Sequence, residues 1–210
     1  MKFILASCFA LLFSGCSALT DPAPSAPQPV THIQDYYLPL QHIGASYAYC
    51  RKSQYGADTI QMTMQGNDAM GMMRGNKQCY AADLKTDYFF NSYFFLMNDT
   101  EACTLGSISC YGAETKWLDL KAPLMLGQQW TFVQSGGYKE NTYTAAVTKR
   151  GAQMKMPDGT IYNDVIEVIY TRGASDSTVK WFTKGIGLIY STSTNPDNDF
   201  GQEMRLLSKP

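Results

Sequence analysis

Three consecutive phrases, NTYTAAVTKRG at 141–151, MPDGT at 156–160 and YNDVIEVIYTRG at 162–173, carry a single rhythm. In the first, Tyr143, Ala145 and Val147 alternate with polar residues, and in the third Ile166, Val168 and Tyr170 fall on one side. Side chains of an extended chain point to opposite faces in turn, so a period of two with β-branched and aromatic residues predicts half-buried strands. The Pro-Asp-Gly between them predicts the reversal that pairs them.

The same reading extends in both directions. STVKWFTKGIGLIYSTS at 177–193 puts Val179 and Trp181 on one side, turns at Lys184-Gly185 and returns through Leu188 and Tyr190, and QEMRLLS closes the chain. Upstream, DTIQMTMQG at 58–66 alternates Ile60, Met62 and Met64 with polar residues, and DYFFNSYFFLM at 87–97 reads as one buried strand or a hairpin turning at Asn91-Ser92. Turn signals recur at roughly the 8–12-residue spacing of antiparallel meanders. The places with room for a short helical turn are Tyr80–Leu84 or Glu101–Leu105. The expected fold class is all-β: about ten to twelve strands in a curved antiparallel sheet that closes as a β-sandwich or half-open barrel, since long flat sheets leave hazardous edges.

Two phrases repeat. LPLQHIGASYAY at 38–49 and APLMLGQQWTF at 122–132 both read Pro-Leu, a short gap, Gly, two residues, then aromatics at alternate positions. Pro fixes the entry, Gly44 or Gly127 permits a tight turn, and the aromatics enter a strand with one buried face. The spacing suggests duplicated halves, 36–120 and 121–210, within one β-rich domain of residues 36–210.

The N-terminus carries a different message. Met1-Lys2, an apolar run from Phe3 to Phe13 and then Ser14-Gly15 have the layout of a secretory signal, and the run is shorter than the roughly 20 residues of a membrane-spanning helix. FSGC at 13–16 resembles the bacterial lipobox, with Phe13 where that motif prefers Leu. The resemblance implies that residues 1–15 are a signal peptide and that Cys16 carries palmitate-type acyl chains as a lipoprotein anchor. Residues 16–35 then form the lipidated cysteine and a Pro-rich tether, in which four of the nine prolines favour extended chain. Ser17 after the cysteine resembles lipoproteins sorted to the outer membrane, facing the periplasm or the cell surface.

An exported chain meets an oxidising compartment, so Cys50, Cys79, Cys103 and Cys110 read as disulfide cysteines. Of three possible pairings, Cys50 with Cys79 and Cys103 with Cys110 need the least chain rearrangement. With 17 basic and 18 acidic residues and no basic run, nucleic acid is not an expected partner.

The doubled Pro-Leu-x-x-Gly-x-x-Trp element and the closing Lys184-Gly185-Ile186-Gly187-Leu188-Ile189 resemble a broad set of uncharacterised β-rich bacterial envelope lipoproteins, domains of unknown function. The likeness runs from about Tyr36 to Thr194. It departs from that set at Tyr47 (usually Trp), at Thr183 (commonly Ala) and in the four extra cysteines. It implies a fold and an address, and no chemistry.

No catalytic residue, cofactor or established metal site is expected. The two histidines are His32 in the tether and His42 in a turn, and no nucleophile elbow, phosphate loop or dinucleotide fingerprint is present. Glu114, Asp119, Glu140 and Glu167 are the carboxylates that a glycoside-type pair would need to bring together. Met62, Met64, Met70, Met72 and Met73 resemble soft Cu(I)-binding methionine clusters, although gap filling in a core is the stronger reading. Tyr88, Phe89, Phe90, Tyr93, Phe94 and Phe95 would line a cavity for a lipid or acyl chain, if they do not fill it. The expected role is a non-catalytic accessory or scaffold protein of the cell envelope, anchored to the membrane and contacting other envelope proteins.

Overall fold

The computed structural model describes residues 32–37, 44–54, 56–67, 73–74, 77–85, 90–105, 116–134, 140–194 and 202–209. Over these residues it is all-β and antiparallel, and among them the strands do not close into a barrel. The chain makes one meander through β1 (Ser46–Ser53), β2 (Gly56–Asn67), the two-residue β3 (Met73–Arg74), β4 (Lys77–Lys85), β5 (Phe90–Met97), β6 (Glu101–Leu105) and β7 (Lys116–Lys121). A second meander runs through β8 (Gln129–Gln134), β9 (Asn141–Lys155), β10 (Ile161–Arg172), β11 (Asp176–Thr183), β12 (Gly187–Ser193) and β13 (Glu203–Ser208). Strand β1 pairs with β13, so the sheet order is β7-β6-β5-β4-β2-β1-β13-β12-β11-β10-β9-β8, with β3 hanging from β4.

The two meanders open alike. Gly44 and Gly127 both have positive φ, which costs an L side chain far more than glycine. The Gly44 N–H donates to the Met64 carbonyl at 2.7 Å, and the Met64 N–H returns a bond to Ala45 at 2.9 Å. In the second copy Gly127 donates to Val147 at 2.8 Å and Val147 returns to Gln128 at 2.9 Å. Tyr47 then faces Met62, as Trp130 faces Ala145. The glycine turn therefore sets the register of the strand pair behind it.

The two ends of the strand series meet without a ladder. No β7–β8 pairing occurs among the described residues, yet Trp117 of β7 packs edge-on against Phe132 of β8 at 5.2 Å and Tyr143 of β9 at 4.7 Å. The core behind this seam is contributed by both meanders, with Tyr49, Met64, Phe95, Leu120, Tyr170 and Phe182 essentially inaccessible. Each such side chain stabilises the fold by roughly 1.5–3 kcal/mol through burial alone.

Several expectations need correction. Residues 80–84 and 101–105 are strands, not helical turns. Asn98 explains the second case: its side-chain oxygen accepts the N–H groups of Thr100 and Glu101 at 2.9 and 2.7 Å, a pattern that also caps helices but here tightens a hairpin closed by Asn98 N–H to Glu101 carbonyl. In the first, Ala82 is buried between Met64 and Tyr93 in register, and sheet pairing overrides the local preference. For the aromatic run the strand alternative holds from Phe90 to Met97: Asn91 and Ser92 lie inside β5 and the chain does not turn there. The tether also ends earlier than residue 35, because Ile33–Asp35 form a 3-10 turn with Ile33 buried in the core.

Candidate functional site

The segment 32–37 leaves the tether and enters the sheet interior. Ile33, Tyr36 and Tyr37 are buried, and the segment is held along its length, first by Ile33 N–H and Gln34 Nε2 donating to the Asp99 carbonyl and carboxylate at 3.3 and 2.7 Å. Gly185 N–H in the β11–β12 turn donates to the Asp35 carbonyl at 2.7 Å, and Lys184 reaches the Asp35 carboxylate at 3.3 Å. The Tyr36 hydroxyl donates to Asp164 at 2.5 Å. Asp164 sits at φ +54° where β10 slips register against β9, a conformation that Asp tolerates better than most residues, and this irregularity presents its carboxylate.

Tyr37 goes deepest. Its hydroxyl donates to Asp119 Oδ2 at 2.7 Å, and the Thr104 hydroxyl donates to the same oxygen at 2.6 Å. The other carboxylate oxygen, Oδ1, receives Lys180 Nζ at 2.5 Å. The Tyr170 hydroxyl binds the main-chain carbonyl of Asp119, and the Trp117 and Tyr170 rings flank the Lys180 ammonium at 5.2 and 5.6 Å. Lys180 is 4% exposed and Asp119 1%. Removing two charges from water costs several kcal/mol each, so they are retained only with such complete pairing. Burial, reinforced by the Asp119 charge, raises the Tyr37 and Tyr170 hydroxyls well above the ordinary phenol range.

Beside this cluster lies a cavity of about 20 Å³, lined by Tyr37, Tyr49, Met62, Phe95, Thr104, Asp119, Lys180, Phe182 and Leu188. That is room for roughly one water.

Lys180 in the interior reverses the simplest reading of its strand. Thr178, Lys180 and Phe182 face inward, while Val179 and Trp181 lie on the other face, where Trp181 packs on Tyr190 at 4.7 Å. Glu167 shares that outer face: it accepts Thr148 Oγ1 at 2.7 Å, Trp181 Nε1 at 2.8 Å and Lys149 Nζ at 2.9 Å. Partial burial pushes its carboxyl upward, but these donors outweigh that and hold it below the usual carboxylate range. Asp119 and Glu167 are thus on opposite faces and cannot act as a pair. Glu140 is exposed, and Glu114 lies outside the described residues.

The remaining expected site residues fall as follows. Met62 and Met64 are buried in the core on β2, packed as gap fillers, and Met73 begins β3; Met70 and Met72 lie outside the described residues. Among the described residues no group of three or more His, Cys, Asp or Glu could hold a metal. Phe95 is buried and meets Tyr37 edge-on at 6.2 Å; Phe90, Tyr93 and Phe94 follow on β5, and Tyr88 and Phe89 lie outside the described residues.

Of the cysteines, Cys50 is a half-buried free thiol, which corrects the Cys50–Cys79 pairing. The register explains it. Cys50 faces Thr59 on β2, whereas Cys79 lies one step beyond the Asn67–Tyr80 pair, roughly 30 Å further along the sheet at about 3.3 Å per residue. A disulfide needs Cα atoms about 4.4–6.8 Å apart. Cys103 is buried opposite Leu96 on β6; Cys110, like Cys16, the signal segment and His42, lies outside the described residues, while His32 is exposed.

Spacing had suggested none of the Asp119–Lys180–Tyr37–Thr104 cluster as a unit. Its only sequence signal is a lysine at an inward position of a strand, visible once Phe182 rather than Trp181 is taken as the core residue.

No family model, curated protein or solved structure matches the chain.

Proposed function

We propose that this chain is a lipid-anchored protein of the bacterial outer membrane, non-catalytic, whose domain works as a scaffold or accessory through contacts with other envelope proteins. The observation that carries the reading is the saturated polar cluster among the described residues. Among the described residues the polar cluster inside the sheet is saturated by its own neighbours and the cavity beside it takes about one water, which favours recognition through strands and turns on the outer surface. The sheet itself is best read as a half-open barrel, its β7–β8 gap packed by Trp117 and Phe132.

A second feature supports a mechanical role. Residues 33–37, directly after the Pro-rich tether, are bonded to elements of both meanders, which makes tether and domain one load path. The apolar-carrier reading draws no support from Phe95 or the small cavity, and Cu(I) binding draws none from the core positions of Met62 and Met64.

Labelled palmitate tests the anchor: incorporation in the native chain and its loss in Cys16→Ser are expected, and incorporation in neither overturns it. Photo-crosslinking in intact cells from exposed Leu126 in the turn before β8 and Leu207 at the end of β13 tests the role. A reproducible protein adduct supports the scaffold; stoichiometric lipid in native mass spectra, with no adduct, returns the carrier.

A further inference from the structure

We propose that Lys180 and Asp119 condense to an intramolecular isopeptide bond, making this pair a self-modification site that staples the open seam of the sheet. The inference stands on the interior geometry and does not depend on the scaffold reading.

Three observations carry it. The reacting groups are already in hydrogen-bond contact, Nζ 2.5 Å from Oδ1, and are held there from several strands. The Tyr170 hydroxyl fixes the Asp119 main chain, and Trp117 and Tyr170 flank the lysine head. Such positioning replaces the entropy cost of bringing an amine to a carboxyl group. Second, water is excluded on both sides: the side chains of Lys180 and Asp119 are 5% and 2% exposed, so the charged pair is expensive where a neutral amide is not. Third, Oδ2 is held by two hydroxyl donors, Tyr37 at 2.7 Å and Thr104 at 2.6 Å, placed to steady the negative charge that appears on that oxygen during addition.

The step balances within the chain. The Lys180 ammonium passes one proton to Oδ1, leaving an amine and a carboxylic acid. The amine lone pair adds to Cγ, and the charge that forms on Oδ2 is held by Tyr37 and Thr104. Collapse re-forms the C=O bond, breaks Cγ–Oδ1 and expels that oxygen as water, which takes a second proton from Nζ. No oxidant, reductant or cofactor enters. The adjoining cavity of about 20 Å³ can receive one water.

The location gives the bond a purpose. Strand β7 is one end of the strand series and β11 lies three strands in from the other, so the amide would span the gap where β7 and β8 share no ladder.

The test is a tryptic map of the denatured, full-length protein purified from membranes. Cleavage at Lys116, Lys121, Arg172 and Lys184 should release a branched peptide joining 117–121 to 173–184, lighter than the two linear chains together by one water, in place of linear 173–180. In Lys180→Arg, whose guanidinium still pairs with Asp119 but does not condense, both linear products should appear. Recovery of linear 117–121 and 173–180 as the dominant products from the native chain would overturn the proposal, whether or not the variant folds.

Discussion

Gly44 and Gly127 occupy one conformation, φ +82° and +81°, and each donates its N–H to the carbonyl of a residue on the next strand whose own N–H donates back to the carbonyl of the following residue. A Cβ at either glycine would meet nothing within 4 Å, so a substitution there is penalised by backbone strain rather than by collision. The matching geometry accounts for the repeated phrase in the sequence: the motif is a turn that sets register.

Gly44→Ala and Gly127→Ala should each destabilise the domain by about 1–2 kcal/mol, the cost of a left-handed L-residue. Asn, which reaches this conformation more easily, should cost less at both positions. Urea unfolding midpoints measure the series, and equal stability of Ala and Gly variants would contradict the account.

Two ion pairs of similar length should behave differently because of burial. Lys180→Met strands the Asp119 carboxylate in the core and should cost at least about 3–5 kcal/mol. Lys149→Met removes a partner of Glu167 whose side chain is 48% exposed, and should cost about 0–1 kcal/mol. Equilibrium denaturation of both variants checks the contrast.

Tyr37→Phe deletes one donor to a buried carboxylate and should lower stability by about 1–3 kcal/mol. Tyr37→Ala also empties the aromatic contacts with Phe95 and Phe182, and should loosen segment 32–37 from the sheet. Limited proteolysis is the measurement: cleavage near His32 should accelerate well before the strands are cut, and an unchanged pattern would show that the segment is not held by Tyr37.

The pH dependence follows from Glu167. Its carboxyl is held below the ordinary range in the folded protein, so its stabilising contribution is complete above the unfolded-state value and is lost as pH falls through the folded one. Melting temperature should therefore decline on acidification below the usual carboxylate range. Glu167→Gln, which no longer titrates, should show a shallower decline, and identical slopes would exclude Glu167 as a contributor.

The strands of the second meander were legible because alternation is a local property. Tyr143, Ala145 and Val147 are buried, as are Ile166, Val168 and Tyr170, and the turns at 156–160 and 184–186 occur where Gly159 and Gly185 take positive φ. Sequence reading left the interior side open where two faces both carried large apolar groups. On β11, Val179 and Trp181 are the more hydrophobic pair, yet they lie outside, where Trp181 finds Tyr190 and donates to Glu167. It failed at the tether boundary, where Ile33, close behind a Pro-rich run, plugs the core.

The sequence by itself determined that this chain is built of antiparallel strands and where many of them turn, because side-chain period and glycine conformation act over a few neighbouring residues. Only the tertiary structure decided which face of β11 is interior. A lysine can be buried there only because Asp119, 61 positions away, meets it with two further donors already in place, and that compensation exists in space but not along the chain.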